Sequence, residues 1–145
     1  DALRRALPAH WMIEPPRFVM CRPSAMSKRV AVPGGYAARM EAAGAAHVVR
    51  IVDAAGQAAA SGHVVLNGET AIFDRIETLE PHRRKGLGSA LMSALDALAE
   101  EAGATERLLV ATEEGRALYL SLGWVVLAPY STAVIPASWR WSLAR

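Results

Sequence analysis

One cysteine, Cys21, stands among the 145 residues, and that scarcity removes two classes at once. With no second thiol there is no intramolecular disulfide and no CxxC metal-ligand pair. A reducing, cytoplasmic setting is the matching expectation. Long apolar runs are also missing. No stretch reaches the roughly 18 residues that span a bilayer, and the opening "DALRRALPAHWM" lacks the apolar centre of a signal peptide. The first residue is Asp, as in a processed chain or one part of a longer protein. Charge of one sign is equally scarce: sixteen Lys and Arg face fourteen Asp and Glu, for a net charge of +2. Neither a nucleic-acid nor a membrane partner is expected from that balance.

What is present is an ordinary globular composition, 52% hydrophobic and 21% charged, in a length that suits one compact domain. Residues 1–35 form the least regular part. "DALRRAL" can make a short helix before Pro8, while "IEPPRF" and "RPSAMSKRVAVPGG" read as extended chain and turns. This N-terminal segment is expected to wrap a neighbouring surface rather than own a core, leaving 36–145 as the main domain.

From Tyr36 onward the pattern sharpens. "AARMEAAGAA" (37–46) has room for at most one short helix. "HVVRIV" (47–52) and "QAAASGHVVL" (57–66) read as strands joined by the turn "DAAG", and Asn67-Gly68 is a strong hairpin signal. It leads to "ETAIFDRIETL", a third strand ending near Leu79, so the three form an antiparallel meander. The period then changes. Leu87, Leu91, Ala94, Leu95, Leu98 and Ala102 share one helical stripe, with Ser89, Ser93, Asp96 and Glu100 opposite. Gly103 suits the position after that helix. A strand "ERLLVAT" (106–112) follows, then a helix "EEGRALYLSL" (113–122) closed by Gly123, then short strands in "WVVLAP" and "STAVIPAS". The order β-β-β-α-β-α-β-β combines a meander with a strand-helix-strand crossover, which predicts a mixed sheet with helices packed on it.

Positive charge and glycine are concentrated where the first long helix begins, in "EPHRRKGLGSALM". A helix start exposes unpaired N–H groups and partial positive charge, and glycine lets backbone close on a ligand. Such a site suits a diphosphate. The P-loop pattern GxxxxGK[ST] is absent, and Gly86-Leu87-Gly88 lacks the third glycine of the dinucleotide fingerprint. What fits is R-x-x-G-x-G, from Arg83 to Gly88, after an antiparallel strand and before an amphipathic helix. This resembles the acetyl-CoA pyrophosphate loop of the GNAT acyltransferase superfamily. A second segment, "GRALYLSLGW" (115–124), is similar to the later GNAT stretch in which an Ala-Leu-Tyr helix ends in Gly plus an aromatic residue.

The resemblance implies an α+β fold (three-layer α/β), with a mixed, mostly antiparallel central sheet and flanking helices. It implies an N-acetyltransferase that uses acetyl-CoA as co-substrate and no metal, with direct attack by a primary amine in a ternary complex. By resemblance, Arg83, Arg84, Lys85, Gly86, Leu87, Gly88 and Ser89 hold the cofactor. Thr78, through its backbone, serves the strand that meets the pantetheine arm and polarises the thioester carbonyl. Tyr119 takes the place of the tyrosine that protonates the departing sulfur, against a purely packing role. Asp74 is the first candidate for general base, with Glu77, His47 and His63 behind it and a salt bridge to Arg75 or Arg39 as its structural alternative. His82 reads as a surface histidine.

Two departures accompany the likeness. Thr112 stands where relatives often carry Asn, and it can still cap the following helix. The two helices that relatives insert after their first strand have no room in 37–46. The acceptor pocket must then come from residues 1–35, from a partner subunit or from elsewhere in a longer protein. The acceptor is a small-molecule or peptide amine, and a homodimer through the short final strands is consistent with the family. The rival reading is a non-catalytic acyl-CoA-binding or regulatory module with the same loop.

Overall fold

The computed structural model describes residues 1–138, so the end of the domain assigned to 36–145 lies outside the described residues from 139 onward. In chain order the elements are α1 (Ala2–Ala6), β1 (Met12–Ile13), β2 (Arg17–Arg22), β3 (Tyr36–Ala43), β4 (Ala46–Asp53), β5 (Ala58–Asn67) and β6 (Thr70–Thr78). A single 3-10 turn at Glu80–His82 precedes α2 (Leu87–Glu101), β7 (Glu106–Thr112), α3 (Glu113–Ser121), β8 (Val125–Tyr130) and β9 (Ala133–Val134). Seven strands make one sheet in the order β3-β4-β5-β6-β7-β2-β8, and β1 pairs with β9 in a small second sheet. Among the described residues only β6 and β7 run parallel, joined through α2; the other neighbours are antiparallel. The sheet is mixed and mostly antiparallel, with helices packed against it, as the sequence pattern predicts. No helix among the described residues is long and apolar enough to cross a membrane.

Two segments differ from the sequence expectation. Residues 37–46 hold no helix: Tyr36–Ala43 is the edge strand β3, turned back through Gly44 into β4. Its Ala, Arg, Met and Glu residues are good helix formers, but pairing all along β4 outweighs that modest preference. The second difference is larger. "RFVMCR" in the N-terminal segment is β2, an interior strand hydrogen-bonded to β7 on one side and β8 on the other, and Met20 is fully buried. Pro16 and Pro23 bracket it, so the prolines mark the ends of a strand rather than an irregular run.

The core lies between one sheet face and both long helices. Leu87, Leu91 and Leu95 of α2 are fully buried, with Val49, Val64 and Phe73 supplied by the sheet. Each such side chain contributes about 1.5–3 kcal/mol of hydrophobic stabilisation. Trp124, just past α3, sets its ring edge-on to Phe73 with centroids 5.2 Å apart, which puts α3 on the same face as α2.

The polar side of α2 does not face water throughout. Ser93 and Asp96 are buried because residues 26–30 lie over them. Asp96 Oδ1 accepts from Arg107 Nε at 2.6 Å, and Oδ2 accepts from the Met26 amide at 2.7 Å and from Arg29 at 2.9 Å. Ser93 Oγ accepts from the Val30 amide at 2.9 Å. Part of the N-terminal segment therefore does wrap a neighbouring surface, and that surface is α2.

Candidate functional site

A bulge in β6 creates the site. Ser61 stands opposite Glu77 and His63 opposite Asp74, so β6 carries one more residue than β5 across the same span. Arg75 absorbs the extra residue with φ of 52°, a left-handed conformation unusual for a side-chain-bearing residue. Perfect alternation would set Asp74 and Glu77 on opposite faces. The bulge instead sets both opposite residues of one β5 face, with Asp74 bordering one cleft and Glu77, nearer the end of the strand, the other. Pairing of β6 with β7 ends at Phe73 and Leu109. Beyond it the strands part, leaving 74–78 on one rim of a gap and 110–112 on the other.

Two clefts meet at this gap, and Ile76, Thr112 and Tyr119 line both. The first, about 770 Å³, lies on the helix side. Thr78, Arg83, Arg84, Gly86, Leu87, Gly88 and Ser89 line it, together with Glu77, Glu80 and Glu114. Lys85 is exposed and is not among the lining residues. Arg84 (φ 62°) and Gly86 (φ 78°) curl the loop, and Gly86 caps α2 without any side-chain hydrogen bond. The first-turn N–H groups therefore border the cleft without a side-chain acceptor from the cap, beside two guanidinium groups. Backbone donors at a helix start beside basic side chains form the kind of surface that can hold an anion.

The two glycines have different reasons. Gly86 is required by its positive φ. Gly88 faces α3: a Cβ there would sit 2.9 Å from Leu118 Cδ2, so a larger residue makes the end of that leucine shift. Arg83 Nε donates to the Thr78 carbonyl at 3.1 Å, which ties the loop to the end of β6. His82 is half-buried and shares a 3.0 Å hydrogen bond with the Tyr36 hydroxyl, so it is a structural tie between the loop and β3 rather than a free surface residue.

Tyr119 is the buried group at the junction. Loss of water around its phenol pushes the pKa from 10.0 up to about 12, so it is a proton donor at neutral pH. Thr112 Oγ1 accepts from the Gly115 amide at 3.0 Å and caps α3, while Gly115 leaves room for the tyrosine ring; a Cβ there would lie 3.1 Å from Tyr119 Cε2.

The second cleft, about 680 Å³, opens on the opposite sheet face. Asp74 lines it, exposed and 3.6 Å from the Arg75 guanidinium, whose backbone amide also donates to Asp74 Oδ1 at 2.8 Å. The alternative salt bridge to Arg75 is thus formed alongside the access to the cleft. His63 is the cross-strand neighbour of Asp74, whereas His47 stands on β4, two strands from the gap. Arg17 and Val19 of β2 also line this cleft. Sequence reasoning missed both, because nothing in "PPRFV" signals a strand that reaches the middle of the sheet.

Residues 43–126 match the acetyltransferase (GNAT) domain family. The chain belongs to this family. A GCN5-related N-acetyltransferase from Kribbella flavida superposes with a TM-score of 0.64 at 17% identity, over 86% of this chain and 59% of that one. A second, from Sphaerobacter thermophilus, gives 0.68 at 16% identity, over 93% of this chain and 56% of that one. An uncharacterized protein of Bacillus subtilis, YyaT, is 31% identical over 70 residues, 48% of this chain and 47% of its own length. This GNAT chain therefore spans only about half to three-fifths of the length of these relatives.

Proposed function

We propose that this GNAT domain transfers an acetyl group from acetyl-CoA to a primary amine by direct attack within a ternary complex. The observation that carries this reading is the gap past Phe73 and Leu109, where two clefts on opposite faces meet beside a buried, protonated tyrosine. The donor-rich loop at 83–89 supports the helix-side cleft as the place of the CoA diphosphate. Strand β6 past the bulge, around Thr78, supports a backbone contact to the acyl-carrying arm.

In the transfer, the amine nitrogen forms the new C–N bond as the C–S bond breaks. The amine must lose a proton, and Asp74, on the rim of the acceptor-side cleft, is the group to take it directly or through water. The leaving thiolate gains a proton from Tyr119, whose high pKa keeps that proton in place until negative charge develops beside it. Nothing in this sequence of steps calls for a metal or a covalent enzyme intermediate.

Titration calorimetry with acetyl-CoA, followed by a thiol-release assay over a panel of primary amines, tests the reading. Saturable binding and amine-dependent release of CoA are expected. Absence of acetyl-CoA binding would overturn the assignment, and binding without turnover of any amine would favour a binding module.

A further inference from the structure

We infer that the acceptor is a small amino carboxylate with an apolar body, and that Arg17 holds its carboxylate. The inference rests on the transferase reading and extends it to the second cleft. That cleft has a charged rim over an apolar floor: Arg17, Asp74 and Arg75 stand around Val19, Ile72 and Val110. Ile72 and Val110 are 39% and 44% exposed, an unusual state for β-branched residues in the interior of a sheet. An acceptor with an apolar body would cover them.

The three charges are not equivalent. Arg75 is engaged by Asp74 from the adjacent position, through both its side chain and its amide. Arg17 is not held in this way. Among the described residues its ion pair is one contact of 3.9 Å to Glu14, with both side chains more than a third exposed. An exposed pair of that length binds weakly and yields to a better acceptor. A guanidinium offers five donors in a planar fork that matches a carboxylate.

Position completes the argument. Arg17 pairs in register with Thr112, which lies on the β7 rim of the gap and lines both clefts. Asp74 stands on the β6 rim. The two residues stand two strands apart across the gap, at more than about 10 Å between backbones, and both side chains line the same cleft. An amine at Asp74 then carries its carboxylate close by, at Arg17, with the apolar body on Val19 and Val110. A small amino acid offers an amine to Asp74 and a carboxylate to the long Arg17 side chain, whereas a polyamine or an internal peptide lysine leaves Arg17 facing no anion.

Leucine and leucinamide are the probes, since they differ only in the carboxylate. Their kcat/KM ratio, measured by thiol release, is compared between the wild type and Arg17→Gln, which cancels the different basicity of the two amines. The ratio of leucine to leucinamide is expected to fall by about tenfold or more in Arg17→Gln, chiefly through KM. Arg17→Lys, which keeps charge but not the fork, should retain part of it. An unchanged ratio, or wild-type turnover of leucinamide without turnover of leucine, overturns the inference, as does failure to acetylate either compound. Calorimetry with acetyl-CoA on the same samples separates the two levels. Loss of acetyl-CoA binding in the wild type would mean that the transferase reading has failed, whereas normal binding with an unchanged ratio sinks the carboxylate inference alone.

Discussion

Burial of Tyr119 has two consequences that one substitution can separate. The phenol's pKa rises from 10.0 to about 12, so the folded state holds this proton more tightly than the unfolded chain does. Its contribution to stability is whole below about pH 10, declines as pH rises, and is lost once pH passes about 12, an effect of about 2–3 kcal/mol. Denaturant midpoints measured from pH 8 to 12 should therefore fall less steeply in Tyr119→Phe than in the wild type. At neutral pH the same variant should bind acetyl-CoA normally but turn over more slowly by about 100-fold or more, as removal of a general acid requires. Full turnover in Tyr119→Phe would leave the tyrosine with a packing role alone. The sequence made this residue visible through "ALYLSLGW", but the glycine notch at Gly115 that admits the ring has no signature outside three dimensions.

At the scale of elements, α2 shows what a helical pattern discloses and what it hides. Its apolar stripe packs as the period predicts, with Leu87, Leu91 and Leu95 in the core. The opposite side reads as solvent-facing because Ser93 and Asp96 are polar, yet both are buried under residues 26–30. Periodicity reports one covered face and is silent about a second cover made of loop. Asp96 there balances Arg107, which is only 1% exposed, and also receives the Met26 amide and Arg29. Asp96→Ala would strand a buried guanidinium and release the loop, at a cost of about 3–5 kcal/mol in chemical denaturation. A loss below about 1 kcal/mol would show that the loop is not held through this carboxylate. The parity of β6 is a related case. "FDRIET" sets its apolar residues Phe73 and Ile76 three apart, which fits no strict alternation, and the pairing with β5 shows the cause, an extra residue at Arg75.

For the whole molecule, β2 is the element on which the far half of the sheet depends. It joins β7 to β8, and its Met20 is fully buried. The meander, both long helices and the cofactor loop were legible because each is signalled by neighbours in sequence: a turn, a period or a glycine. β2 was not, because Leu109 and Val126, the partners of Met20, lie about ninety and more than a hundred residues away, and a short stretch between prolines carries no mark of them. Removal of residues 1–22 is expected to abolish cooperative unfolding and near-ultraviolet circular dichroism, whereas a cooperative transition in the truncated chain would show the strand to be dispensable. The same arrangement sets an order of events during synthesis. This strand leaves the ribosome before either of its two neighbours and pairs only after both have emerged, so contact order is high at one seam of an otherwise local meander. Until the C-terminal strands emerge, "RFVMCR" has no permanent place, and the nascent chain carries an unpaired hydrophobic strand that other chains or chaperones can capture.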